Sequence, residues 1–272
     1  MKTISAAIVR SRLVELITDC LIKPDKAVTE VLRNLSDAPA ATVAAKLIAQ
    51  NNDIAASERI YACQDTGQAV FFVKLGDEIS CKGLHNAIVE ATREAYAAAR
   101  KSVADPLTRE NTHDNTPPII ETELVSGDAL EISFLAKGAG SENMTKLYML
   151  TPADGKAGII RSVVEAVENG GRNACPPLVV GVGIGGVSET ACRLSKLALL
   201  RPLGERNARA DVAELERELL EKVNALNIGV AALGGKTTAL AVNMEVAPTH
   251  IGMLPVAVNL QCHSLRHGTV KF

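Results

Sequence analysis

The sequence predicts an α/β fold of the mixed α+β kind. A helical layer fills about residues 1–60, and mixed β-sheets flanked by helices follow, all within one domain of residues 1–272. Three observations carry this expectation. Apolar residues recur every three or four positions through the first sixty residues. Beyond them, short apolar runs of strand length alternate with helical stretches. Glycine and proline punctuate the boundaries, and no repeat, low-complexity tract or flexible linker marks a second domain.

In chain order, Val9, Leu13, Leu16, Ile17, Cys20 and Leu21 form one helical stripe that ends before Pro24. A short second helix points Val28, Val31, Leu32 and Leu35 inward. A third starts near Asp37-Ala38-Pro39, with Pro39 close to its first position and Val43, Leu47 and Ile48 as its apolar face. The run Ala69 to Leu75 reads as a strand, and residues 84–103 as a long alanine-rich helix. Asn115-Thr116-Pro117-Pro118 marks a loop. Ile119 to Val125 and Leu130 to Ala136 read as a hairpin around Ser126-Gly127-Asp128. A helix over 158–168, with Ile160, Val163, Val164 and Val167 inward, stops at Gly170-Gly171. Leu178 to Val182 is a buried strand, and a helix follows near 188–200. Residues 211–226 form a charged amphipathic helix whose Glu and Arg residues read as a solvated face. Residues 237–246 and 253–259 close the series as strands.

Composition excludes several classes of function. Aromatic residues make up 3% with no Trp, and the net charge is −2. Neither base-stacking surfaces nor a basic footprint for nucleic acid is expected. No apolar run reaches the length of a membrane span. Arg10, Arg12, Glu15 and Asp19 interrupt the first twenty residues, so a signal peptide is not expected and the chain reads as cytoplasmic. Six cysteines in such a compartment are thiols, metal ligands or catalytic groups rather than a disulfide framework.

Several stretches concentrate chemistry. Cys63-Gln64-Asp65-Thr66-Gly67 puts a thiol, an amide, a carboxylate and a hydroxyl at a strand entrance, which is also ordinary turn composition. Gly181-Val182-Gly183-Ile184-Gly185-Gly186 satisfies G-x-G-x-x-G, but no acidic strand end follows some twenty residues later. Its glycines allow close backbone approach to a helix or to a ligand other than a dinucleotide. A dinucleotide-binding module stays as an alternative. Gly234-Gly235-Lys236-Thr237 imitates a P-loop end, yet Val230 stands where that motif needs Gly, so a glycine turn into a strand is the better reading. Cys63, Cys175 and Cys262 each adjoin a turn device, and none sits in a C-x-x-C pair. Two readings remain: inert buried thiols, or three ligands of a [4Fe–4S] cluster with one iron open. Cys20, Cys81 and Cys192 read as structural.

Four stretches in this order resemble the iron–sulfur hydro-lyases, the class I fumarases and L-tartrate dehydratases: Cys63 to Gly67, Lys137-Gly138-Ala139-Gly140-Ser141-Glu142-Asn143, Cys175-Pro176-Pro177 with the glycine-rich strand after it, and Gly234-Gly235-Lys236-Thr237-Thr238. The likeness covers the chain from about residue 40 to its end. The length is similar to that of the α subunit of the two-subunit form. The Gly-Ser-Glu-Asn wording looks more like fumarase α chains than tartrate dehydratase ones.

The resemblance implies a hydro-lyase that hydrates fumarate to L-malate, a tricarboxylic acid cycle step. L-tartrate dehydratase is the alternative and mesaconate a third candidate substrate. It implies that Cys63, Cys175 and Cys262 ligate a [4Fe–4S] cluster on loops at strand ends. Gln64 and Asp65 would contact the dicarboxylate, with Asp65 a proton donor or acceptor, and Arg100 would hold a carboxylate. Gly140, or alternatively Gly138, would offer a backbone amide, and His250 would be an active-site histidine. A β subunit would complete the site with a threonine base, in a heterotetramer of two chains of each kind. The dianionic substrate suits arginine recognition, and an open iron suits a poor hydroxide leaving group.

Overall fold

The computed structural model describes residues 2–272. Cα proximity divides the chain into two units, one of residues up to 25, 52–139 and 266–272, the other of residues 26–51 and 140–265. In chain order the elements are β1 (Lys2–Thr3), α1 (Ala6–Ile22), α2 (Lys26–Arg33), α3 (Pro39–Glu58), β2 (Gln68–Gly76), β3 (Ile79–Ser80), α4 (Leu84–Ala95), β4 (Ile119–Val125), β5 (Leu130–Lys137), α5 (Ala139–Glu142), β6 (Lys146–Leu150), α6 (Gly155–Gly170), β7 (Leu178–Gly186), α7 (Ser188–Ala198), α8 (Ala210–Asn224), β8 (Ala239–Thr249), β9 (Leu254–Gln261) and β10 (His267–Lys271). The mixed α/β class and the N-terminal helical region are as the sequence predicts. Among the described residues no helix is long and apolar enough to cross a membrane.

In the first unit a sheet of order β10-β5-β2-β4 is covered by α1 and α4. Val9, Leu13, Ile17 and Leu21 of α1 are fully buried, each contributing on the order of 2 kcal/mol. They meet Ala87, Ile88 and Ala91 of α4 and the inward residues of β2 and β5, where Phe71 and Phe134 are paired with ring centroids 5.4 Å apart. The unbroken apolar run Ala69 to Val73 fits a central strand, buried on both faces.

Three expectations in this unit are corrected. β4 and β5 do not form a hairpin, because β2 lies between them, parallel to β4 and antiparallel to β5. The 126–129 turn instead straddles the end of β2: Gly76 N donates to Ala129 O and Glu78 N to Gly127 O. Local turn composition is the same in both cases. The alanine-rich helix ends at Ala95 rather than near 103. Lys101 Nζ donates to the carbonyls of Tyr96 at 2.5 Å and Ala97 at 2.8 Å, closing the last turn. The chain then leaves the helix because Arg100 O accepts from Thr66 Oγ1 and Asn115 Nδ2. β10 lies along β5 in a stretch the sequence did not mark as strand.

α3 also departs from expectation. Val43 and Leu47 are 58% and 59% exposed, while Ala41, Ala45 and Ala49 are buried. Small residues at helical spacing permit close approach, and bulk alone pointed to the wrong face. On α2 Val28 and Leu32 are buried as expected, but Val31 faces outward.

The second unit holds a sheet of order β6-β9-β7-β8. Val180, Val182, Val242, Met244, Val258 and Leu260 fill one face with Ile159, Val163 and Val167 of α6 and Leu219 and Val223 of α8. α7 lies on the other face at backbone distance. A Cβ on Gly181 would stand 2.0 Å from Ser195 O, and one on Gly183 would stand 2.0 Å from Ala191 O. The G-x-G-x-x-G glycines therefore lie within β7 and admit a helix. The solvated face expected of α8 is corrected at Glu216. That carboxylate is fully buried and accepts from Arg201 Nη1 at 2.5 Å, Met244 N at 2.8 Å and Asn207 N at 3.1 Å. Arg201 Nη2 also pairs with Glu245.

Candidate functional site

In the first unit, one end of the sheet gathers most of the chemistry. β2 begins there, β5 ends there, and Arg266 leads into β10 there. The turn Cys63 to Gly67 enters β2, with Gly67 at φ +72. Asp65 is held on three sides. Its Oδ1 accepts from Gly67 N at 2.9 Å and its Oδ2 from Ala139 N at 2.8 Å, while its main-chain oxygen accepts from Arg266 Nη1 at 2.8 Å. Gly138 is adjacent, since a Cβ there would stand 3.1 Å from Asp65 Oδ2. Thr66 is buried. Its Oγ1 donates to Arg100 O at 3.0 Å, and its own carbonyl accepts from the buried Tyr96 hydroxyl at 3.3 Å. Arg100 is thus fixed to the turn through its backbone, with its side chain exposed. Gln64 is exposed, and Cys63 and Asp65 are half-buried. Cys63, Gln64, Asp65, Arg100 and Gly138 therefore share one region.

The second unit does the same with the remaining motifs. At the end of its sheet where β7 and β8 begin and β9 ends, four stretches converge. Cys175 precedes β7 in a left-handed conformation with φ +54, and its carbonyl accepts from His263 N at 3.3 Å. That bond sets the Cys175 loop beside Cys262. Gly140 lies near the same loop, since a Cβ on it would stand 3.4 Å from Asn173 O. The 229–238 loop closes over Pro176, whose carbonyl accepts from Ala231 N at 2.9 Å. This loop is anchored by Asp37, whose oxygens accept from Lys236 N and Thr237 N at 2.8 Å each. Burial pushes the Asp37 carboxyl up, but hydrogen bonds from Thr237, Ala38 and Lys236 outweigh it and hold it low. The Gly-Gly-Lys-Thr stretch is thus a turn clamped by a carboxylate.

Glu142 ties α5 to the sheet. Its oxygens meet Lys196 Nζ of α7 at 2.7 Å and Asn259 Nδ2 of β9 at 3.0 Å, and Asn259 Nδ2 also reaches Thr145 Oγ1 at 2.8 Å. Beside Cys262, the buried Gln261 Oε1 and Ser264 Oγ have no partner among the described residues. Cys262 Sγ lies 3.8 Å from both Gln261 Nε2 and Ser264 O.

His250 is not brought to this end. It stands before β9 and Cys262 stands after it, so the eight residues of the strand separate them by about 26 Å. His250 Nδ1 accepts from Gly252 N at 3.1 Å, beside a cavity of about 380 Å³ lined by Pro152, Lys156, Ile159 and Met253 among others.

The other cysteines differ in setting. Burial pushes the Cys20 thiol up to about 12 and raises those of Cys81 and Cys192 as well, which suits inert packing. Cys63 and Cys262 are half-buried and Cys175 is exposed. Among the described residues no three His, Cys, Asp or Glu side chains converge as the ligands of a single metal ion would. An iron–sulfur cluster places its own iron and sulfide atoms between its thiolates, so its ligands need not converge so closely. One residue at the first sheet end escaped the sequence reading. Arg266 is 2% exposed and its guanidinium reaches the Asp65 turn. Its only sequence signal is a charge between Leu265 and His267, which is weak.

Comparison with known proteins bears on the family of the chain as a whole. A family model described as Fumarate hydratase (Fumerase) matches residues 10–271. A protein of Methanocaldococcus jannaschii named putative L(+)-tartrate dehydratase subunit alpha is 44% identical over 228 residues, 80% of each chain. An L(+)-tartrate dehydratase subunit alpha of Escherichia coli is 37% identical over 217 residues, 77% of this chain and 72% of the relative. One of Shigella sonnei with the same name is 36% identical over 216 residues, 77% and 71% of the two chains.

Proposed function

Because this chain belongs to the fumarate hydratase (Fumerase) family of hydro-lyases, we propose that it is the α subunit of a cytoplasmic, [4Fe–4S]-dependent fumarate hydratase, its 272 residues acting as one α-subunit domain. A β subunit would complete the enzyme in a two-plus-two assembly. The observation that carries this reading is the placing of Cys63 with Gln64, Asp65, Arg100 and Gly138 at one sheet end, and of Cys175 with Cys262 and Gly140 at another. The Gly-Ser-Glu-Asn turn favours fumarate and L-malate as substrates. The printed names of the relatives favour L-tartrate, which is the second reading.

Cys63, Cys175 and Cys262 would hold the cluster. The donor set suits it, since these three thiols are half-buried or exposed and each adjoins a turn. The partnerless polar atoms of Gln261 and Ser264 beside Cys262 also suit a polar or charged neighbour. When bound, the cluster supplies a Lewis-acidic iron for the leaving hydroxyl. The chain's own residues do the rest of the work assigned to it. Arg100, exposed on a backbone fixed by Thr66 and Asn115, grips a substrate carboxylate with two parallel N–H bonds. Gln64 donates its amide to the same dianion. Asp65 is oriented by two main-chain N–H groups, and each oxygen keeps a second lone pair with which to hold or pass a proton. Gly140, or alternatively Gly138, presents its N–H to developing charge. The C3 proton is left to a base of the β subunit. His250 stays a candidate active-site histidine on the resemblance alone, some 26 Å along β9 from Cys262.

Initial rates of the reconstituted α–β complex with fumarate, L-tartrate and mesaconate test this reading. It predicts the highest rate with fumarate and no turnover by the α chain alone. Preference for L-tartrate would install the second reading, and turnover by the isolated chain would overturn the divided site.

A further inference from the structure

Arg266 is among the largest fully buried side chains of the protein. An arginine does not shed its proton on burial, so a buried guanidinium needs an opposite charge or a full set of acceptors. Arg201, 12% exposed, has both, in Glu216, Glu245 and Met244 O. Arg266 has neither. Nη1 donates to Asp65 O at 2.8 Å, and among the described residues no carboxylate pairs with it. Its Nε–H is buried without an acceptor among those residues. Among the described residues the Nε–Nη2 edge, the edge that grips a carboxylate with two parallel bonds, thus donates to no acceptor.

That edge is held in a defined place. Arg266 O accepts from Ala136 N at 3.0 Å at the end of β5, which fixes the backbone. Nη2 lies 3.9 Å from where a Cβ on Gly138 would stand, next to the turn that carries Asp65. We propose that Arg266 is a substrate-binding residue whose counter-charge is a carboxylate of the bound dicarboxylate, taken on its Nε–Nη2 edge. This rests on the hydro-lyase reading above, and adds to Arg100 a second arginine for a substrate with two negative charges.

Succinate, which has neither the double bond nor the hydroxyl of the reaction, is the probe. Its binding to the reconstituted α–β complex is measured by calorimetry, and melting is followed with and without it. In wild type succinate binds and raises the melting temperature. In Arg266→Met the affinity falls about tenfold or more and the ligand-induced rise is lost. The unliganded melting temperature stays level or climbs, because an uncompensated buried charge has been removed. A merely structural arginine gives the reverse, a lower unliganded melting temperature with unchanged affinity, and that result overturns the proposal. If Arg266→Met does not fold, Arg266→Lys decides, since it keeps the charge and loses the fork. Severalfold weaker binding supports the proposal, and unchanged binding overturns it. Absence of succinate binding by wild type removes the proposal together with the reading on which it rests, whereas wild-type binding that the variants retain removes the proposal alone.

Discussion

Gly181→Ala tests whether the glycine-rich strand exists to seat a helix. The added methyl would stand 2.0 Å from Ser195 O and 2.9 Å from the Leu199 side chain, where ordinary contact begins near 3.4 Å. Both neighbours belong to α7 or its last turn, and one is backbone, so no side-chain rotation relieves the clash. α7 must retreat by more than an ångström. Overpacking of a tight core costs about 1–3 kcal/mol, and a backbone obstacle puts this case at the upper end. For a chain of this size about 3 kcal/mol lowers the melting temperature by roughly 6–12 °C. The displacement also moves Lys196, which rides on α7 and holds Glu142 at 2.7 Å. The assay is thermal unfolding by circular dichroism without ligand, repeated with NADH. A melting temperature within about 1 °C of wild type would refute the packing argument. Recovery of the loss by NADH would restore the dinucleotide alternative.

Three further outcomes follow from the same geometry. Glu216→Ala leaves Arg201 with part of its buried charge unmet and should cost about 3–5 kcal/mol, read as a lower midpoint in urea at unchanged slope. Lys196→Met breaks a half-exposed ion pair and should cost under about 1 kcal/mol. Because it frees the turn bearing Gly140, it should still lower the rate of the α–β complex, and unchanged kinetics would detach that turn from the site. Burial depresses the His267 pKa against a smaller opposing pull from Asp25, and its Nε2 has no partner among the described residues. The unfolded chain takes up this proton near pH 6.5 while the native state resists it, so stability is lost as the pH falls below about 6.5. His267→Phe should flatten the melting temperature between about pH 6.5 and 5, and an unchanged slope there would contradict the assignment.

The parts of the fold that were legible in the sequence are those whose pattern has one physical solution. The stripe from Val9 to Leu21 has only a helix to bury it, and Ala69 to Val73 suits only a strand covered on both faces. The Gly181 and Gly183 spacing announced close backbone approach, and the missing acidic strand end pointed away from a dinucleotide. Elsewhere two solutions shared one pattern. Ser126-Gly127-Asp128 turns the chain equally well between neighbouring strands and across the end of β2. Alanine and bulky residues on α3 both recur at helical spacing, and packing distance chose the alanines. β6 was missed because Leu147 and Met149 of this edge strand point outward, which erases the alternation. The candidate site was legible as motifs but not as groups. Which motifs share a sheet end, the burial of Arg266 and the distance of His250 from Cys262 all depend on strand direction, and single residues do not record that.

The central claim is that Cys63, Cys175 and Cys262 hold a [4Fe–4S] cluster. Anaerobic reconstitution of the full chain with iron and sulfide, followed by visible absorbance and iron content, tests it most directly. The account predicts a brown, oxygen-sensitive protein whose absorbance is lost in each of Cys63→Ser, Cys175→Ser and Cys262→Ser and kept in Cys20→Ser. A wild-type chain that takes up no cluster, or a Cys175→Ser chain that retains one with four irons, would contradict it.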